Sequence, residues 1–192
     1  WTTKDCHFLC DGMDDQVEIN AAVQALPAAG GEIVILDGVY NITAKVYVDK
    51  NNVLIRGNGG ATVLKRMWNS TVEEGVITFE NVSGCGVSDI SIDGNKAYFS
   101  SYSNCGVQFK LCSNNIISGV ICSDCGYGIM FQGGSGNVIM GNICKGGSRS
   151  NIYLLDTSEC VVFGNILQEN NGIQVYANNN LIACNGCNNN NS

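Results

Sequence analysis

The stretch NNIISGVICSDCGYGIMFQGGS, Asn114 to Ser135, is followed at once by GNVIMGNICKGGSRSNIYLLDTS (136–158) and by ECVVFGNILQENNGIQVYANN (159–179), three segments with one outline. Aligned on their apolar residues, Ile116, Val138, Val161 and Ile182 fall in one column at spacings of 22, 23 and 21 residues. A second column runs Ile77, Val107, Ile129, Ile152 and Ile173, and a third Phe79, Phe109, Phe131, Leu154 and Val175. The last two alternate with polar residues such as Gln108 and Gln174, the period of two that a strand imposes. A repeat of about 22 residues, with short apolar strands separated by Gly or Asn, predicts a parallel β-solenoid whose coils stack strand on strand.

Two more columns describe a turn. Gly119, Gly141, Gly164 and Cys184 occupy a position suited to a backbone conformation that a Cβ strains, and Val120, Asn142, Asn165 and Asn185 follow them. The stacked asparagines predict an amide ladder along one edge, with each side chain bonding the next coil. These repeated columns read as scaffold. The front of the chain differs: DDQVEINAAVQALPAAGG sets Val17, Ile19, Ala22, Val23 and Leu26 at near-helical spacing, with Asp14 or Asp15 as N-cap and Gly30-Gly31 as stop. The expected organisation of 1–192 is one β-helix domain, with an N-terminal extension (1–13), a capping helix (14–31) that covers the first coil, and parallel coils (32–192).

Composition narrows the class. The chain has 192 residues, 45% hydrophobic, with 24 glycines, one proline and 14% charged residues, a profile of tight turns joining short apolar strands. A net charge of −7 and ten scattered Lys and Arg argue against a nucleic-acid partner. No apolar run spans a bilayer, and the opening on Trp1 without a charged-then-apolar leader reads as a mature or trimmed product. Eleven cysteines point to an oxidising compartment, with Cys6–Cys10, Cys105–Cys125 and Cys184–Cys187 as disulfide candidates alongside Cys122 and Cys144. Cys122, Cys144 and Cys187 share a column interrupted by Leu167, so that slot is first an apolar one. An odd count leaves at least one thiol unpaired within the chain. Sequons at Asn41, Asn69 and Asn81 are candidate N-glycosylation sites and agree with an extracellular or cell-surface location.

The segment DGMDDQVEINAAVQALPAAGGEIVILDGVYNI, with its Asp-Gly, paired Asp, helix, Gly-Gly, apolar strand and Gly-Tyr turn, resembles the opening of the pectate-lyase-like right-handed parallel β-helix superfamily. The match is specific over 11–42 and generic over the coils. Its CDGMDDQVEIN form looks like that of secreted, phage-tail and archaeal surface members without assigned chemistry. The resemblance implies a right-handed fold and, for enzymes of this fold, particular motifs. Lyases would need an acidic calcium cluster beside an Arg or Lys, and Arg56, Arg66 and Arg149 lie in none. The hydrolase motifs Asn-Thr-Asp, Asp-Asp and Gly-His-Gly are missing from the coils. So is the epimerase motif Asp-Pro-His-Glu, and His7 is the sole histidine. No catalytic residue, metal site or cofactor is assigned on these grounds.

What remains is a possible glycan surface. Asp89 and Asp93, four residues apart around one strand, would share a face about 13 Å apart, too far to share a proton but suited to a wide sugar groove. Tyr98, Phe99, Tyr102 and Trp68 sit in the two longer excursions and could stack on sugar rings or pack at an interface. Asp14 and Asp15 read as capping residues. The final coil runs into NNNNS with no visible cap, which predicts association through open strand edges. The expected function is therefore a subunit of an extracellular filament, sheath or fibre, partnered head-to-tail with itself and with surface glycans as a further partner. The alternative is a carbohydrate-active or glycan-binding β-helix using Asp89, Asp93 and Tyr98.

Overall fold

The computed structural model describes residues 6–188, so Trp1 and the closing asparagines of the expected association lie outside the described residues. A helix, α1 (Gln16–Ala25), precedes the coils. The first coil holds β1 (Gly31–Val34), β2 (Gly38–Ile42) and β3 (Val46–Val48); the second has β4 (Val53–Arg66) and β5 (Glu74–Glu80); the third has β6 (Gly86–Asp93) and β7 (Asn104–Lys110). Three short strands make each later coil: β8 (Ile116–Ser118), β9 (Ile121–Ser123) and β10 (Tyr127–Gln132); β11 (Val138–Met140), β12 (Ile143–Lys145) and β13 (Ile152–Ser158); β14 (Val161–Phe163), β15 (Ile166–Gln168) and β16 (Ile173–Asn178). The last described strands are β17 (Leu181–Ala183) and β18 (Gly186–Asn188).

Every pairing between these strands is parallel. This is a right-handed parallel β-helix. The first and second faces merge through the long strands β4 and β6, and β3, β5, β7, β10, β13 and β16 form the third face. Ile77, Val107, Ile129, Ile152 and Ile173 are in register, as are Phe79, Phe109, Phe131, Leu154 and Val175, and both columns point inward. The Phe79 and Phe109 rings stack at 4.3 Å and Phe109 and Phe131 at 4.7 Å, nearly parallel.

The first column needs two corrections. Val161 pairs with Leu181 rather than Ile182, so this coil is a residue shorter there than the repeat suggests. The column also faces outward: Ile116 is 51% exposed, whereas its neighbour Ile117 is fully buried beside Ile139 and Val162. Adjacent apolar residues in three-residue strands leave the inward parity undetermined by pattern alone.

The turn column holds: Gly119, Gly141, Gly164 and Cys184 have φ of 64°, 64°, 67° and 54°. The asparagines beside it lie inside the solenoid, not along an exposed edge. The Asn165 Oδ1 accepts from both the backbone N–H (2.9 Å) and the amide (3.0 Å) of Asn142, and the Asn165 amide donates to Asn185 (2.8 Å) and to the Ile139 carbonyl (3.0 Å). Asn115 and Asn137 make a second relay at another corner, with bonds to Cys85 and Cys112 backbone.

At the front, α1 is shorter than 14–31. Ile19 and Val23 join the core, but Val17 points to solvent. Asp15 occupies the N-cap position without capping: its carboxylate accepts from the Gly12 and Asn41 backbone N–H groups, which ties the helix start to β2. Asp14 carries φ of 55°. Arg66 is fully buried, donates to the carbonyls of Glu74 (2.8 Å) and Cys105 (2.7 Å), and stacks on Trp68 at 3.8 Å. Burial lowers it to about 10, leaving it a cation at neutral pH.

The ten cysteines from Cys10 onward are thiols in the structure, seven of the disulfide candidates among them. Cys122, Cys144, Leu167 and Cys187 do form one ladder position. Of the sequons, Asn69 accepts from Ser101 and Asn104. Asn41 spends its amide on the Gly12 carbonyl, and Asn81 sits exposed in a left-handed turn.

Two outcomes follow from the core. Asn165→Ala orphans the two Asn142 donors and the Ile139 carbonyl, at about 1–3 kcal/mol for each buried group, so urea unfolding should show a loss of more than about 3 kcal/mol, against near zero for exposed Lys145→Ala. Burial also pushes Cys105 up to about 12 from an ordinary 9 and Cys125 upward as well, while a side-chain hydrogen bond with Cys144, and after it burial, raises Cys122. In the unfolded chain these thiols ionise near 9, so their contribution is complete below pH 9 and drains away as pH rises toward 12. With reductant present, stability should fall between pH 9 and 10 by about 1.4 kcal/mol per pH unit for each such thiol. Above about pH 10, Arg66 works in the opposite direction. A urea midpoint unchanged from pH 8 to 10 would contradict the buried thiols.

Candidate functional site

The third face carries the site on its outer surface. Thr78, Gln108, Met130, Tyr153 and Gln174 stack in register there, yet Gln108 and Met130 are buried, Gln108 beneath the chain at Glu73 and Met130 against Cys105 and Tyr153. The Gln108 amide donates to the Glu73 carbonyl at 3.0 Å and to Gln132 at 3.1 Å. Past β10 this cover ends. The face opens into a cavity of about 320 Å³ lined by Tyr127, Arg149, Tyr153, Asn171, Gln174 and Tyr176.

Its floor is a staircase of tyrosines. The Tyr127 and Tyr153 rings lie 5.0 Å apart and Tyr153 and Tyr176 lie 5.7 Å apart, tilted by 44° and 51°. Tyr127 is buried, Tyr153 half-buried and Tyr176 exposed. The three tyrosines come from successive coils but from different columns, Tyr153 pairing with Met130 and Gln174 and Tyr176 with Leu155, so the rings step diagonally across the face. Burial, with the neighbouring Tyr127 and Tyr176 phenols, raises Tyr153 above its ordinary value, while Arg149 pulls the other way. Tyr153 is therefore a proton donor at neutral pH.

Arg149 stands at the wall. Its turn between β12 and β13 is longer than the one between β9 and β10, and its backbone is held by bonds to the Gly126 carbonyl (2.9 Å) and from the Asn171 N–H (3.1 Å). The guanidinium donates to the Tyr127 hydroxyl and lies 5.2 Å from that ring and 5.9 Å from Tyr102. Among the described residues the ion pairs are Lys45–Glu74 and Arg56–Glu32, so this cation has no carboxylate partner. Lys96 donates to the Gly146 and Gly147 carbonyls and so fastens the 94–103 excursion beside the groove. Ser150 donates to Gln174.

The residues first singled out for glycan binding lie elsewhere. Asp89 occupies the corner between the first two faces, with φ of 49°, so the strand bends there and the flat-strand separation from Asp93 does not apply. Asp93 accepts from the Asn95 N–H at 2.8 Å in a local turn. Tyr98 is 79% exposed on the excursion; the aromatic that reaches Arg149 is Tyr102. None of Asp89, Asp93 and Tyr98 lines the groove. Tyr127, Tyr153 and Tyr176 were missed by sequence reasoning, and Arg149 was passed over for want of acidic neighbours. The added length of the turn GGSRSN was the available signal.

Comparison with known proteins identifies what this architecture is similar to. Over 110 residues the chain is 36% identical to the mannuronan C5-epimerase AlgE6 of Azotobacter vinelandii, an alignment covering 50% of this chain and 13% of that protein. The chain thus spans a small part of that relative's length. Its fold is similar to that of the A-module of the mannuronan C-5 epimerase AlgE4 from the same organism, at a TM-score of 0.80 and 20% identity over 96% of this chain and 57% of the other. It is also similar to a protein of Parabacteroides merdae provisionally assigned as a glycosyl hydrolase, at a TM-score of 0.81 and 14% identity over 97% and 96% of the two chains. These likenesses agree with the pectate-lyase-like resemblance. They overturn the filament-subunit expectation, because the similar proteins are named as carbohydrate-active enzymes rather than as structural fibres. That expectation rested on an uncapped end, which says how a solenoid could associate and nothing of what its faces bind. Residues 39–192, most of the chain, match the model of the family described as periplasmic copper-binding protein (NosD), and the chain belongs to that family.

Proposed function

We propose that this chain is a carbohydrate-active β-helix that holds a polymer of acidic sugars across its third face. The observation that carries the reading is Arg149, a guanidinium without a carboxylate partner among the described residues, set among tilted tyrosine rings at the mouth of a groove. Aromatic faces take the apolar sides of sugar rings, and a guanidinium with open donors takes a carboxylate in a bidentate way. Asn171 and Gln174 add amide groups for ring hydroxyls. The name of the 36% identical relative, a mannuronan epimerase, supports an acidic polysaccharide.

The lining also selects among reaction classes. Hydrolysis of a glycosidic bond needs two carboxyl groups flanking it, and the lining residues include none. Removal of a proton next to a sugar carboxylate has other needs: a cation to stabilise the charge that develops on the carboxylate, and groups that carry a proton. Arg149 meets the first; the proton taken from the sugar carbon would pass to the Tyr127 oxygen in its anionic form, to which Arg149 donates, and the protonated Tyr153 hydroxyl would deliver a proton to the sugar. Elimination or epimerisation is the chemistry the groove fits.

Copper stands in the family's description, and the matched segment does not fit it. The buried thiols there, Cys112, Cys125 and Cys160 among them, donate to carbonyls two residues before them. Among the described residues, the group of three His, Cys, Asp or Glu ligand atoms close enough to share an ion lies ahead of residue 39. No step of the proposed chemistry runs through a metal. The family's periplasmic description agrees with an exported protein, and no helix among the described residues is long and apolar enough to cross a membrane.

Affinity electrophoresis in gels containing a polyuronate or a neutral glucan tests the binding, and ultraviolet absorbance of unsaturated uronate with proton NMR of the polymer tests the chemistry. Retardation by the polyuronate alone is expected. Arg149→Ala should weaken it roughly 10- to 100-fold, the loss of a charge-assisted contact. Tyr153→Phe should bind normally and lose about 10²–10⁴ in turnover. Equal retardation by both polymers, or by wild type and Arg149→Ala, would refute the groove.

A further inference from the structure

We propose that the Cys10 thiol and the Asp15 and Glu18 carboxylates form a binding site for one borderline divalent transition-metal ion, of the zinc(II) class, at the capped end of the solenoid. The three residues come from the segment before the helix, from its start and from its first turn, and their ligand atoms all lie within 4.8 Å of one another. This site precedes the family-matched segment and is independent of the polysaccharide groove.

Acidic residues at a helix start have an ordinary explanation, and for Asp15 it suffices in part. Asp15 is fully buried, and its two oxygens accept from the Gly12 N–H at 2.8 Å and the Asn41 N–H at 2.6 Å. Those bonds fix the carboxylate as outer partners fix a metal ligand, and each oxygen keeps a lone pair. Glu18 is not explained in this way. One of its oxygens is buried without any hydrogen-bond partner among the described residues. A buried, unpaired carboxylate oxygen beside a second carboxylate and a thiol is an arrangement that a cation satisfies and water-free packing does not.

The donor chemistry sets the class of ion. The Cys10 thiol donates to the Asp15 backbone carbonyl at 3.7 Å, a bond it would give up together with its proton on binding a metal. Thiolate sulfur disfavours magnesium and calcium, while one sulfur and two carboxylate oxygens suit zinc, with a fourth position left open. Cys10 and Glu18 also line a cavity of about 560 Å³ under the cap, whose lining includes His7, the sole histidine, and Cys6. The positive end of the helix dipole opposes a cation here, an effect far weaker than a metal–thiolate bond.

The test uses the full chain, stripped with a chelator and kept reduced. Zinc(II) is titrated calorimetrically and cobalt(II) by its thiolate charge-transfer absorbance, two ions that do not oxidise thiols. One equivalent of each is expected, with a raised melting temperature. Cys10→Ser should abolish the cobalt absorbance, and both Cys10→Ser and the isosteric Glu18→Gln should weaken zinc at least 100-fold; Cys184→Ser should leave both signals unchanged. Circular dichroism checks that each variant folds, and Glu18→Gln should melt no lower than wild type without metal, since it removes the orphaned charge. No stoichiometric binding by wild type, or binding kept within twofold in either Cys10→Ser or Glu18→Gln, would overturn the three-donor site.

Discussion

A narrow apolar prism can be wound from polypeptide only if the peptide groups at its corners find partners, because water does not reach them. In this protein the buried asparagine amides meet that need. Each amide donates to a carbonyl of the preceding coil and to the next coil's asparagine, and its oxygen accepts from the preceding coil's backbone and side chain, as at Asn142, Asn165 and Asn185. The left-handed residue just before each of these positions turns the chain through the corner. Without the relay, every coil would bury unpaired donors, and the stacked sheets would have no fixed corner from which to keep register.

Register then distributes everything else. Once the corners align, equivalent positions of successive coils are held one strand spacing apart, inside and out. Inside, this makes the phenylalanine stack and the isoleucine column. Outside, it stacks Thr78, Gln108, Met130, Tyr153 and Gln174, while Tyr127, Tyr153 and Tyr176, from different columns, step diagonally across the same face. Variation enters where a turn lengthens: the chain near Glu73 covers Gln108 on the outer face of β7, and the 146–151 turn brings Arg149 over the edge of that face. A repetitive scaffold thereby presents one non-repetitive groove. A chain with net charge −7 can still offer a local cation to an acidic polymer, since Arg149 has no carboxylate partner among the described residues.

Much of the scaffold was legible in advance. The columns of Ile77 and Phe79, the turn glycines, the asparagine relay and the Cys122–Cys144–Leu167–Cys187 ladder could be read from spacing alone, because a solenoid repeats its environment at a fixed period. The reading failed where two answers share one pattern. Ile116 and Ile117 are equally apolar, and the shorter last described coil shifted Ile182 out of its assigned column. Asp15 has the chemistry of an N-cap, yet its carboxylate faces β2 instead.

By itself, then, the sequence determined the period, the parallel stacking, the cap and most of the inward columns, all consequences of local pattern repeated along one axis. Tertiary structure alone decided which outer face is open. Tyr127, Arg149 and Tyr176 come from three coils, and Cys10 meets Glu18 only where the leading segment folds back on the helix. Contacts of that kind depend on how far each turn reaches and which way it folds, and no residue's own propensity encodes either.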